Sequence, residues 1–218
     1  MNKTLNQKQI KTIQNFWKWV EDNQTTIFNA YVLGINTQEV AMHFNRNLNY
    51  ISKQIDCLIF YQDETLKLLF TAQGYRKLFP KLIALEENAP KLSRVTPIIF
   101  IKPITNKERY LKKEDGYLSI FKQELKISDL YLQLDNYNTT SKKIDITVFH
   151  PYKDSEKMQN AILFVIMFVI GEIAFKKHLN EIEIKSTTII PNGLLPLIEL
   201  DEYIAYLYSC MAYKRIKI

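Results

Sequence analysis

The sequence predicts an α+β fold: a mixed, largely antiparallel sheet of about six strands, covered by helices and led by a helical N-terminal segment. Three observations predict it. Apolar residues recur at three- and four-residue spacings over 5–22; from Cys57 the apolar period shortens to that of strands; and 158–179 carries a stretch, 161–170, without any polar side chain.

Leu5, Ile10, Ile13, Phe16, Trp17 and Val20 define the first amphipathic helix. Asn23 to Thr26 is read as an interruption, followed by a short second helix that Gly34 ends. Thr37 is suited to cap a third helix whose apolar face is Val40, Ala41, Phe44, Leu48, Ile51 and Ile55. CLIFYQ and LKLLFTA, joined by Asp63-Glu64, make a hairpin. A helix is expected from Tyr75 to about Asn88, before Pro90, and VTPIIFIKPI follows as a strand. Strand, helix and strand at this length imply that the strands around Leu69 and Ile99 run parallel.

Residues 105–125 show no period. A second hairpin comes next, ISDLYLQLDNY and KKIDITVFH, and then 158–179 as one helix, 181–190 as the last strand and 196–214 as a terminal helix, ending in a basic tail, 214–218. Five glycines in 218 residues leave little room for a flexible linker, and no internal repeat appears. The expected organisation is one domain over 1–218, with a helical N-terminal segment at 1–56 and an α+β core at 57–218.

The apolar stretch at 158–179 can be covered by protein or by lipid. Its uninterrupted part has the length of a buried helix, whereas a span needs roughly twenty apolar residues, and Glu172 and the polar flanks Gln159, Asn160, Lys176 and Lys177 favour a core. No membrane association is expected.

The totals exclude other classes. An apolar fraction of 47% with 24% charged residues belongs to a folded chain. Cys57 and Cys210 are the only cysteines, too few for a disulfide framework, and the opening residues hold lysines without an apolar run, so a cytoplasmic location is expected. The net charge of +6 comes from 29 basic and 23 acidic residues that are interspersed, which favours a mixed solvated surface and makes nucleic acid an improbable partner.

Candidates for chemistry are few. Glu172, one turn from Phe168 and Phe175, would gain a raised pKa if buried and then suit a general acid; an ion pair with Lys176 at i+4 is the plainer reading. His150 leaves the strand IDITVF with Asp145 and Asp154 near it in sequence. With His43 and His178 on other elements, no metal-binding spacing appears, so neither metal nor cofactor is expected. Cys57 lies in an apolar strand, as an inert thiol does, and there is neither a nucleophile elbow nor a glycine-rich phosphate loop.

Residues 37–55 match a helix-turn-helix module in part, with Tyr50, Ser52 and Lys53 toward a groove. Asn45 stands at the usual glycine, however, and Arg46 and Gln54 at apolar places, so a plain amphipathic helix is preferred. Trp17 and Trp19 are candidate partner-binding aromatics, although docking of the first helix onto the core is the preferred reading, since Phe16 and Val20 lie one turn apart on its inward face.

Several pieces together, Phe16-Trp17-Lys18-Trp19, Leu69-Phe70-Thr71-Ala72-Gln73-Gly74, Asn88-Ala89-Pro90-Lys91-Leu92 and Ile170-Gly171-Glu172, resemble a family of uncharacterised bacterial α+β proteins. That family has an F-W-x-W opening helix, a strand ending in T-A-x-G, an A-P-x-L turn and a late helix ending in G-E. The resemblance implies an α+β fold and a bacterial source, and it brings no catalytic residue. This chain departs from the pattern at Gln24, at Val95 and within Met167-Phe168-Val169, where similar proteins tend to have an acid, a tryptophan and an acid.

The functional expectation is therefore a non-enzymatic binding or interaction protein of a bacterial cytosol, with a protein partner. Two alternatives stand beside it: a small hydrolase-like enzyme using His150 and Glu172, and a DNA-binding protein using 37–55.

Overall fold

The structure, a computed structural model, describes residues 5–215, with the side chains of 211–215 excepted. Its contacts divide the chain into two compact units, Met1–Ile101 and Lys102–Ile218. The sequence expectation was one domain with a helical segment at 1–56. Those helices instead share one apolar core with the first three strands. Among the described residues there are nine strands in three sheets, more than the expected six, with helices against them: the α+β class holds.

The first unit opens with α1, Gln7–Val32, whose N-cap Asn6 accepts from the Gln9 N–H while the Gln9 side chain accepts from the Asn6 N–H. It is one helix, with no interruption at Asn23–Thr26. Ile13, Phe16, Trp17, Val20, Ile27 and Ala30 keep one buried stripe in phase through that polar stretch, and tertiary burial outweighs the weak helix propensity of the residues between. Four residues with Gly34 at φ 74° lead into α2, Thr37–Ile51. Thr37 does not cap it; its hydroxyl donates to the Ala30 carbonyl at 2.8 Å and ties the turn back to α1. Next come β1, Asp56–Gln62, and β2, Thr65–Thr71, antiparallel around Asp63 and Glu64, both at positive φ as a two-residue hairpin turn requires. A 3-10 turn precedes α3, Phe79–Glu87, and β3, Val95–Ile99, then pairs parallel with β2, Leu69 opposite Ile98. The parallel crossover expected from the sequence is present.

The second unit begins with elements that the sequence pattern did not show: a short helix α4, Glu108–Leu111, and a hairpin of β4, Leu118–Ile120, with β5, Gln123–Leu125. Its main sheet contains β6, Tyr131–Asn138, and β7, Lys143–His150, antiparallel as expected. The expected helix at 158–179 is two helices, α5, Glu156–Ile170, and α6, Glu172–His178, bent by 102° at Gly171. Ser155 caps α5 by accepting from the Met158 N–H. Gly171 sits at φ 82° and ψ 148°, backbone that is almost closed to residues with a Cβ. After α6 come β8, Leu179–Ser186, parallel to β7, then β9, Leu195–Pro196, beside β6, and α7, Leu200–Arg215, giving the order β8-β7-β6-β9. No single helix among the described residues is long and apolar enough to cross a membrane. Val165, Ile166 and Val169 of α5 are fully buried.

Replacing Gly171 with alanine forces a Cβ into that backbone. The expected outcome is a loss of about 1–3 kcal/mol, with the strain held at one residue. Urea unfolding would show a lower midpoint at an unchanged slope, and an unchanged midpoint would contradict the role given to the glycine.

Candidate functional site

Two places concentrate side chains that packing alone does not require. One is a polar cluster inside the second unit, and the other is the outward face of α2.

The cluster forms where β7 ends and β6 begins. His150 closes β7 on the side that carries Ile146 and Val148, so its imidazole enters the apolar core; it is fully buried, and neither ring nitrogen has a hydrogen-bond partner. Burial pushes its pKa down from the ordinary 6.5, against a smaller opposing pull from Asp154. The neighbouring Tyr152 ring lies nearly parallel to it, centroids 6.1 Å apart. Tyr152 donates its hydroxyl hydrogen to Asp129 at 2.7 Å and accepts from the Lys126 N–H at 2.7 Å, and burial, helped by Asp129, raises its phenol pKa well above the usual range. Asp115, buried, accepts from the Ile127 and Ser128 N–H groups through one oxygen and so caps the 3-10 turn that starts β6. These contacts hold a loop, a turn and two strand ends together. A neutral, enclosed imidazole among them is a packing residue with a polar cost.

The structure does not assemble the expected pair of His150 and Glu172. They lie at opposite ends of α5, which runs roughly 22 Å at 1.5 Å per residue. The strand that α6 feeds meets β7 at Ile144, six residues before His150. Glu172 is fully buried as the first residue of α6, while Lys176 is exposed, so the expected picture of an acid at a helix end emerging into water is corrected. Asp145 serves the sheet: its carboxylate accepts from Asn180, from the Glu181 N–H and from Asn136 across two register shifts, and the Asn180 bond first of all lowers its pKa. His178 Nδ1 contacts the Tyr208 hydroxyl at 2.9 Å. Among the described residues no group of three His, Cys, Asp or Glu could hold a metal ion. Burial, with Asp56 adding to it, pushes the Cys57 thiol well up, away from the reactive thiolate.

Trp17 is a core residue, 2% exposed, its indole N–H donating to the Leu85 carbonyl at 2.7 Å. Phe16, Trp17, Phe44 and Phe70 meet edge to face, with centroids 5.2–5.9 Å apart, joining α1, α2 and β2. Trp19 is half-buried against the Phe44 ring. Both tryptophans thus dock α1.

Residues 37–51 form a continuous helix, so no turn separates two helices within 37–55, the stretch read as a degenerate helix-turn-helix; the helix, turn and helix that exist lie upstream, around Gly34. Val40, Phe44, Leu48 and Ile51 face the core. Opposite them Met42, Asn45, Arg46, Asn49, Tyr50 and Lys53 border an open concavity of about 540 Å³. Met42 is 62% and Tyr50 66% exposed, and Arg46 Nε donates to the Tyr50 hydroxyl at 3.4 Å. Neither Arg46 nor Lys53 belongs to an ion pair among the described residues. Sequence reasoning had singled out Tyr50 and Lys53 and missed the other four, although each residue lies opposite the apolar stripe once the helix is taken as unbroken. The side chains of the basic tail, 214–218, lie outside the described residues.

We find no match to the chain among known protein families, curated proteins or solved structures.

His150 makes the second unit acid-sensitive in a predictable direction. The unfolded chain takes up a proton near the ordinary pKa of 6.5, whereas the folded imidazole resists it, so stability falls as pH drops below about 6.5 and continues to fall until the folded group titrates. His178, also lowered by burial, contributes in the same direction. In His150→Leu the acid limb of a stability–pH curve is expected to move to lower pH with stability at pH 7.5 kept or raised, because an unpartnered polar group leaves the core. An unmoved limb would refute this account.

Proposed function

We propose that the chain is a non-enzymatic binding protein that engages a protein partner through the outward face of α2. The observation that carries the proposal is the exposed stripe along α2, where Met42 and Tyr50 lie open to water around a concavity that Arg46 and Lys53 also border. Arg46 on α2 and Lys53 just past its end belong to no ion pair among the described residues, and the methionine and the tyrosine lie beside them. Met, Tyr and Arg are the residue types enriched at contact surfaces, and a few such side chains carry most of an interface's energy. A bacterial cytosolic setting goes with this proposal, supported by the family resemblance and by two free cysteines. The enzyme alternative would need a cleft that reaches both ends of α5. For the DNA-binding alternative, the residues bordering the concavity include two cations, Arg46 and Lys53.

The test compares the wild-type chain with Met42→Ala/Tyr50→Ala in pull-downs from cell extract over several salt concentrations, with the fold of both checked by circular dichroism. Exposed side chains leave the core untouched, so the double variant is expected to fold normally and to lose the partner by about thirtyfold or more, corresponding to a hot spot of about 2 kcal/mol. Capture of nothing above background, or equal capture by both proteins, rejects the proposal.

A further inference from the structure

Resting on that binding face, we infer that the partner presents an acidic amphipathic helix, laid lengthwise along α2. The face is a stripe rather than a spot: positions 42, 45, 46, 49 and 50 recur at three- and four-residue intervals, the spacing at which one helix meets another along its length, and Lys53 extends the border past the helix end. Each lining residue restricts what can cover it. The Arg46 guanidinium carries five donors in a fixed fork and takes a carboxylate bidentately; covering it with an apolar group would strand a charge. Lys53 makes the same demand as a point charge. Asn45 and Asn49 offer both donors and acceptors and need polar side chains opposite them. Met42 and Tyr50 supply apolar area for one or two aliphatic or aromatic side chains. A helix with glutamates or aspartates alternating with apolar residues along one stripe meets all these demands.

Nucleic acid meets them less well. Two phosphate-neutralising cations give a salt dependence of log K with a slope of only about −1.8, and a correspondingly small electrostatic gain, whereas nucleic-acid binders typically make about 6–10 phosphate contacts. The acids Asp63 and Glu64 at the exposed tip of the β1–β2 hairpin, in the same unit, add no phosphate affinity.

The experiment is fluorescence anisotropy on the full chain with three labelled probes: a helical peptide with a stripe of glutamates beside leucines, the same peptide with glutamine for glutamate, and duplex DNA of random sequence. The glutamate peptide is expected to bind, to weaken with added salt, and to bind at least about tenfold more tightly than the glutamine peptide, the effect of one desolvated charge pair. Arg46→Glu/Lys53→Glu is expected to weaken it by at least the same factor. Lys8→Glu/Lys11→Glu, the same charge change on the exposed face of α1, is expected to leave it unchanged. Equal binding of the two peptides, equal loss in both charge variants, or preference for the duplex overturns the inference. If the extract pull-down still depends on Met42 and Tyr50 while the glutamate peptide does not bind, the acidic helix is refuted and the binding face stands.

Discussion

The backbone of Gly171 is the constraint on which the second unit depends. β7 and β8 are parallel neighbours, so the chain must leave the end of β7, cross the sheet and return to the start of β8. An eight-residue strand is about 26 Å long and α5 roughly 22 Å, so one helix of fifteen residues covers the crossing. A straight helix continuing through 178 would overshoot the sheet by about 8 Å. The glycine, at φ 82°, stops α5 at the sheet's length and turns the next two turns aside by 102°, which lets Leu179 meet Ile144. The all-apolar helix can then be covered by protein, with Val165, Ile166 and Val169 fully enclosed.

The first unit is held differently. Its long helix carries few acids or bases at its ends and relies on an aromatic junction, where each edge-to-face pair is worth about 0.5–1.5 kcal/mol beyond its buried area. Because Phe16, Trp17 and Phe44 all point into this junction, α1 and α2 each have one committed face and one free face. On the free face of α1 Lys18 pairs with Asp22, and on that of α2 Arg46 and, past its end, Lys53 border the concavity.

Much of this was legible in the sequence where a period is strong. The hairpin around Asp63-Glu64, the parallel pairing of β2 with β3 and the β6–β7 hairpin follow from alternation and turn residues. The errors share a cause. At Asn23–Thr26 poor local helix formers were read as a stop, and burial of Ile27 and Ala30 overrode them. At Gly171 the expectation of one helix over 158–179 gives way to a break, because the glycine takes a positive φ. In 105–125 the β4–β5 hairpin turns at Phe121 and Lys122, both at positive φ without glycine or asparagine, so no turn signal was available.

The sequence by itself determined the α+β class, the inward stripe of α2, the apolar character of α5 and the inertness expected of Cys57, because each depends on residues near one another in the chain. The tertiary structure alone decided that the chain forms two units, that Trp17 lies inside, that His150 and Glu172 stand apart, and that Arg46 and Lys53 border one concavity. Those outcomes depend on which elements meet across many residues. Burial and charge pairing are properties of that meeting, and local periodicity carries no record of them.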